Sequence, residues 1–343
     1  MLLAEDCSAQ MISASHSQEA VRSALAALAP RLDPAARTIS GLMRLSGGAT
    51  QEIWRFDLDT TEGSRPLIMR RAPGGARRSL VGIDLKVEAQ LIVAARASGV
   101  SAPEVLHVLA PEDGLGHGFI MEFVAGETLG GRIVKAASLA GAREILAYSC
   151  GQILARIHSI DPNGFPTLAH QTPADLIDQW HAAYRRDSVR RPVFDLAFHR
   201  LSATRPPPPV KARLVHGDFR NGNLMIGPEG VRAVLDWELA HVGDPMEDLG
   251  WLCVNSWRFG RIEKPVGGFG EYADLYAGYE AAGGSPVNRE MAAWWEMFGT
   301  LRWGVMCAGS LTAFRSVDAT VERAMIARRT SETEIDLLRL MAD

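Results

Sequence analysis

Over roughly the first third of the chain the apolar positions recur with the alternation of strands. Residues 42–60, LMRLSGGATQEIWRFDLDT, hold two β-like runs around a glycine turn, and residues 65–72, RPLIMRRA, form a short apolar run that breaks at Pro73-Gly74-Gly75. Residues 103–110 and 117–124, PEVLHVLA and HGFIMEFV, add two strands joined by the turn Pro111–Gly116. Between these runs lies a helix at about Asp84–Ser98, with Asp84 as N-cap and Gly99 as the stop. Another helix is expected near Gln18–Leu28, inside an otherwise ragged lead-in. After Gly126 the period becomes helical, over 138–159 and 173–202, followed by the stiff connector Pro206-Pro207-Pro208-Pro209. Strand character returns in RLVHGD and in the hairpin NLMIG–PEG–VRAVLDWE, and a mainly helical tail ends the chain.

These elements predict an α+β architecture in two lobes. Residues 1–38 are expected to be a lead-in with a helix, 39–124 a small antiparallel β lobe with one helix, and 125–343 a larger, mainly α-helical lobe. The connector Glu122–Gly126 joins the lobes, and a ligand site is expected at such a junction.

Composition and charge narrow the function. The chain has 343 residues, 47% hydrophobic and 22% charged, which is ordinary globular usage. Lys and Arg number 36 against 40 Asp and Glu, a net charge of −4, so neither nucleic acid nor a membrane is an expected partner. No apolar run reaches membrane-spanning length, and the N-terminal MLLAEDCSAQ has acids where a signal peptide wants bases. Cys7, Cys150, Cys253 and Cys307 are scattered, without zinc-site spacing, so a cytoplasmic location is expected.

The candidate chemistry lies in Leu214–Glu238. Counting the hairpin outward from Pro228-Glu229 places Asn223 opposite residues 235–236, and paired residues lie about 4.5–5.5 Å apart. Asn223 and Asp236 should therefore sit side by side at the open end, with Asp218 in the loop before them. Such an oxygen-rich set suits a hard cation such as Mg²⁺ that keeps phosphate oxygens and waters as further ligands; it suits zinc poorly. Singly, each residue reads better as a turn or cap residue. Their joint spacing around one hairpin favours a site.

The run His216-Gly217-Asp218-Phe219-Arg220-Asn221-Gly222-Asn223, followed by Leu235-Asp236-Trp237-Glu238, resembles the catalytic signature of the aminoglycoside phosphotransferase family, within the protein-kinase-like fold. Gly243-Asp244-Pro245-Met246-Glu247-Asp248-Leu249 is similar to that family's third motif. The branch resembled most is the one fused with, or encoded beside, acyl-CoA dehydrogenases, and the likeness runs from about Leu42 to Arg315. It implies a small nucleotide-binding lobe, a larger catalytic lobe, ATP as phosphate donor and Mg²⁺. Asp218 would be the base for the acceptor hydroxyl, and Asn223 and Asp236 would hold the metal. Glu238 would either assist or support the loop, and His216 would brace it. Asp244, and with it Asp248, read as helix-start residues, because Asp244-Pro245-Met246-Glu247 has the form of a capping box with proline at the first helical position.

In the small lobe, Gly47, Gly48, Ala49 and Thr50 lie between two strands, where backbone N–H groups could reach phosphates, although the pattern equally fits a hairpin turn. Arg70 occupies the place of the phosphate-gripping lysine. Arg71 is the neighbouring alternative, and strand alternation lets only one of them face the nucleotide. Glu88, at the edge of an apolar helix face, is the expected partner of that cation, with a solvated glutamate as the plainer reading. By the resemblance, the backbone of Glu122 and Val124 would meet the adenine edge.

Acceptor choice is assigned to the tail. Five of the eight tryptophans fall there (Trp251, Trp257, Trp294, Trp295 and Trp303), as pocket wall or as plain core. From Asn255 to Asp343 there are 12 acids and 10 bases, too even for a site selective for a polycation. The expected acceptor is a hydroxylated small molecule of hydrophobic or acyl type, and the chain is expected to be a monomer or homodimer. The rival readings are a nucleotide-binding regulatory module without transfer activity, and a metal-dependent hydrolase using His216, Asp218 and Asp236.

Overall fold

The computed structural model describes residues 18–47, 51–72, 82–187, 189–316 and 320–342. The chain divides into two compact units, Met1–Arg96 with Pro103–Val124, and Ala97–Ala102 with Ala125–Asp343.

The first unit holds helix α1 (18–32), strands β1 (Ala36–Gly47), β2 (Glu52–Thr60) and β3 (Ser64–Ala72), helix α2 (Leu85–Ala97), and strands β4 (Val105–Val108) and β5 (His117–Glu122). The strands form one antiparallel sheet in the order β1-β2-β3-β5-β4. Along β2 alternate side chains are buried, so Trp54, Phe56 and Leu58 share one face. Helix α1 lays Val21, Leu25, Leu28 and Ala29 into the same core cluster. The helix expected in the lead-in therefore belongs to this unit's core. Strand β1 begins at Ala36, six residues before the expected run, because the polar stretch ARTISG gives no alternating signal. Asp84 caps α2 as expected, accepting the Lys86 N–H at 2.8 Å, and Gly99 follows the helix with φ +78°.

The second unit contains α3 (Gly130–Ile133), α4 (Ala140–Ser159), α5 (Pro173–Asp187), α6 (Pro192–Ala203), β6 (Arg213–Val215), β7 (Leu224–Gly227), β8 (Gly230–Val234), β9 (His241–Gly243), α7 (Met246–Cys253), α8 (Tyr272–Ala281), α9 (Arg289–Ser316), α10 (Val321–Ala327) and α11 (Thr330–Ala342). The expected continuous helix over 173–202 is two helices. Pro192 has no N–H to continue the ladder and holds Arg191 in an extended conformation, so a new helix starts there. Helices α4 and α8 cross at backbone contact, since a Cβ on Gly151 or on Gly278 would overlap a carbonyl of the facing helix.

Two short antiparallel pairs, β6–β9 and β7–β8, carry the turns of the candidate chemistry into this helical body. Helix α7 is buried along its whole length, including Glu247 and Asp248, and acids buried that deeply require partners. Helix α9 packs against α5, α6, α7, α10 and α11. Among the described residues no helix is long and apolar enough to cross a membrane.

Candidate active site

Strand β6 ends at Val215, and the chain turns through His216, Gly217 and Asp218 before returning at Asn223 to start β7. Gly217 has φ +78°, and a Cβ there would overlap the Leu239 carbonyl, so the turn requires glycine. His216 is fully buried. Its Nδ1 accepts the Asp218 N–H at 3.2 Å, which leaves Nε2 to donate to the Leu235 carbonyl at 3.1 Å. This is one neutral tautomer, and burial holds the imidazole's pKa below the usual histidine range despite nearby carboxylates.

The turn is anchored from below by Asp248. One of its oxygens accepts the Gly217 N–H at 2.9 Å, and the other accepts the His216 N–H at 2.8 Å and the His158 Nε2–H at 3.1 Å. His158 Nδ1 in turn accepts from the Tyr279 hydroxyl at 2.9 Å. Burial alone would raise the Asp248 pKa, but His158 and the backbone N–H donors bring it below the ordinary carboxylate value. The helix-start role expected for Asp248 is thus corrected: its carboxylate is spent on the loop. Asp244 does start α7, accepting the Met246 N–H at 2.9 Å and the Trp295 indole N–H at 3.0 Å. The reciprocal half of the capping box is missing, because Glu247 turns instead to His241 at 3.1 Å and Arg302 at 3.3 Å.

Asp218 is nearly buried and takes three side-chain donors. Asn223 Nδ2 donates to Oδ2 at 2.6 Å, while Arg220 Nε and the Trp251 indole N–H donate to Oδ1 at 2.9 and 2.8 Å. The Asn223 amide nitrogen also reaches the Asp218 carbonyl at 2.9 Å, so its orientation is set and its oxygen is the end turned elsewhere. Asn223 lies opposite Leu235, whose N–H donates to the Asn223 carbonyl at 2.8 Å. The hairpin count expects Asn223 opposite 235–236; the pairing found is with Leu235, one residue before Asp236, and it depends on a register shift between Met225 and Ile226. Asp236 itself has φ 62° and ψ 66°, a left-handed conformation uncommon outside glycine and least costly for Asn and Asp. Glu238 sits half-buried in the single 3₁₀ turn Trp237–Leu239.

In the first unit Arg70 and Arg71 point to opposite faces of β3. Arg70 donates to Glu88 of α2 at 2.8 Å and to Gln51 at 3.1 Å, whereas Arg71 pairs with Glu52 at 2.8 Å beside Trp54. Only Arg70 has the partner expected for the phosphate-gripping cation, and both members of that pair are buried. The Glu122 N–H is taken by the Glu104 carbonyl at 2.9 Å and its side chain by the Glu104 N–H, so of its backbone only the carbonyl is a candidate adenine contact. Val124 follows β5 in a segment without regular structure. Gly47 ends β1; Gly48, Ala49 and Thr50 lie outside the described residues.

Among the described residues no three His, Cys, Asp or Glu side chains are grouped to hold a metal by themselves. The donors at the loop are an amide oxygen and carboxylates, which fit an ion that takes its remaining ligands from phosphates and water. Sequence reasoning gave no role beside Asp218 to Arg220, to Arg302 or to Trp251, which it named only as pocket wall or core. Trp251, Trp257 and Trp303 form one aromatic cluster, and its member Trp251 touches Asp218. Trp294 instead lines a separate cavity of about 1100 Å³ with Tyr272, Tyr276 and Glu296. None of Asp218, Asn223 and Asp236 lines that cavity, so its size does not locate the chemistry.

A family model described as the phosphotransferase enzyme family matches residues 41–284. Acyl-CoA dehydrogenase family member 10 of Mus musculus is 29% identical over 243 residues, covering 65% of this chain and 22% of that protein. The chain thus spans about a quarter of the length of the curated relatives it matches. Among solved structures, a candidate aminoglycoside phosphotransferase from Ralstonia eutropha superposes with TM-score 0.71 at 21% identity, covering 91% of this chain and 95% of that one. A thermostable mutant of aminoglycoside phosphotransferase APH(4)-Ia, in ternary complex with AMP-PNP and hygromycin B, superposes with TM-score 0.57 at 18% identity, covering 87% and 94%. The protein-kinase-like fold implied by the motifs is the fold found, and the chain belongs to the phosphotransferase enzyme family.

Proposed function

We propose that this chain transfers the γ-phosphoryl group of ATP to a hydroxyl of a small molecule, with Asp218 as the base. The observation that carries the reading is the Asp218 carboxylate, fixed on both oxygens by neutral donors while Asn223 and the Leu235–Asp236 strand end are held beside it. Phosphoryl transfer asks a protein mainly for positioning and charge stabilisation, and this loop is built for positioning. In the step proposed, the acceptor oxygen bonds to the γ-phosphorus as the bond to the leaving ADP oxygen breaks, and the acceptor proton passes to Asp218. Asn223 and Asp236 would hold Mg²⁺, which when bound neutralises phosphate charge; Glu238 would support that strand end. Arg70, oriented by Glu88, is assigned to the nucleotide phosphates, with the backbone of Gly47–Thr50; the Glu122 carbonyl and the Val124 backbone are assigned to adenine. The AMP-PNP complex of the fold relative supports ATP as donor.

The acceptor proposed is a hydroxylated hydrophobic or acyl compound. The near balance of charge in the tail disfavours a polycation, and the names of the sequence relatives point toward acyl metabolism. The test is transfer from labelled ATP, with Mg²⁺, to a panel of simple alcohols, hydroxy acids, hydroxyacyl thioesters and aminoglycosides. Loss of transfer in both Asp218→Asn and Asp236→Ala is expected. Unchanged transfer in both ends the reading.

One observation favours a second reading, a nucleotide-binding module without transfer: the Arg220 guanidinium already occupies Asp218 Oδ1. Thermal stabilisation by Mg-ATP with no phosphorylated product from any panel member, and no phosphate released to water, would select it.

A further inference from the structure

We propose that Trp251 is a positioning residue for phosphoryl transfer: its indole N–H fixes the orientation of the Asp218 carboxylate, and Arg302 holds the indole in place. This rests on Asp218 being the group that receives the acceptor proton.

Three donors reach the Asp218 carboxylate, and they differ in kind. Asn223 is also assigned to the metal. Arg220 is a quarter exposed, so it can swing off Oδ1 for an arriving hydroxyl from the solvent side, although its guanidinium also donates to the Asn221 carbonyl at 2.9 Å and lies 4.6 Å from the centre of the Trp257 ring. Trp251 cannot leave. It is 3% exposed, with the Arg302 guanidinium carbon 4.4 Å from its ring centre on one side and the Trp257 ring meeting it edge-on at 5.2 Å. Arg302 is itself fixed, donating to the Gly217 carbonyl at 3.1 Å and to Glu247 at 3.3 Å. One network therefore grips both the backbone just before Asp218 and the plane of its carboxylate.

The choice of donor has a chemical consequence. A carboxylate offers about four lone-pair directions, and a bond on each oxygen stops its rotation and defines the directions left for a hydroxyl. A cation in the place of the indole would orient Asp218 equally well but would cancel the charge that draws the proton. A neutral N–H orients without cancelling. The ring alone would satisfy a packing role; the N–H on the reactive carboxylate goes beyond packing.

The experiment replaces Trp251 in the full chain with Phe and, separately, with 3-benzothienylalanine, which keeps the indole shape but carries sulfur where the N–H was. Rates are measured with Mg-ATP and the panel acceptor that the parent chain turns over fastest, and also as phosphate release to water. AMP-PNP affinity is measured by calorimetry. The expected result is a kcat at least tenfold lower in both variants, with KM for ATP and AMP-PNP affinity within twofold of the parent. Tyr148→Phe, at an exposed position of α4, should keep the parent kcat. A kcat within twofold of the parent for the benzothienyl variant, in an assay where Asp218→Asn abolishes transfer, overturns the role of Trp251 and leaves the base assignment standing. Parent-like transfer by Asp218→Asn, or no turnover by the parent chain on any acceptor or water, overturns both.

Discussion

The two units hold buried charge by different means. In the first, Arg70 is buried against Glu88, charge against opposite charge, and Arg71 against Glu52 repeats the arrangement on the other face of the sheet. In the second, Asp248 is held by N–H groups of backbone and imidazole, and Asp218 by an amide and an indole N–H together with the partly exposed guanidinium of Arg220. An ion pair settles its own charge locally. Neutral dipoles leave a carboxylate its charge, so Asp218 is free to meet a divalent ion or an incoming proton once Arg220 leaves Oδ1. The first arrangement suits orienting a cation; the second suits reacting.

The comparison can be broken most sharply at Asp218. Asp218→Asn keeps the shape and loses the charge, and transfer should fall by roughly 10²–10⁴-fold, the usual contribution of a general base, while Mg-ATP still stabilises the fold. Next come the ion pairs. Glu88→Ala strands Arg70 in the core and should cost about 3–5 kcal/mol in denaturant unfolding, whereas the paired change Arg70→Met with Glu88→Leu should be near neutral in stability. Asp248→Ala, which strips acceptors from two backbone N–H groups and from His158, should cost on the order of 3 kcal/mol. No apolar replacement should rescue it, because its partners include main-chain donors. A smaller effect is expected from Arg70→Lys, which replaces a planar fork by a point charge and should raise KM for ATP by roughly three- to tenfold with kcat little changed.

The smallest effect is the pH dependence. Because burial depresses the His216 pKa, the unfolded chain takes up a proton that the folded chain refuses, so this residue's contribution is complete above about pH 6.5 and declines as pH falls below it. His241 has the opposite sign: the carboxylate of Glu247 outweighs burial and raises its pKa, so its contribution is present in acid and lost as pH rises. Melting temperatures taken across this range should fall toward acid less steeply in His216→Gln than in the parent.

The parts of this arrangement that were readable in the sequence are those built from neighbours. Strand alternation and the turn at Pro228-Glu229 bring Asn223 to within a residue of Leu235, and the register shift between Met225 and Ile226, which no local pattern announces, sets the exact pairing. The apolar face of α2 makes Glu88 a candidate for burial against a cation, with a solvated glutamate as the rival that its burial sets aside. What could not be read depends on residues that meet only after the helices pack. Trp251 reaches Asp218 across 33 positions and Arg302 reaches Gly217 across 85, and neither has a local pattern that separates it from ordinary core. Helix α1 escaped as a core element for the same reason, since its apolar stripe acquires meaning only against the sheet. Asp248 was misassigned because an acid in the first turn of a helix is usually there for the helix; here complete burial redirects it to the loop.

The complete burial of α7 has a consequence for how the molecule fluctuates. Its two acids hold the main chain at His216 and Gly217 and, through Arg302, the Gly217 carbonyl. The loop cannot loosen without dragging a helix out of the interior. Hydrogen–deuterium exchange at the His216 and Gly217 amides should therefore proceed only with global opening, as slowly as in the most protected helices. The segment to which the chemistry is assigned should be the last part of the second unit to come apart, and any adaptability that transfer needs has to come from elsewhere in the chain.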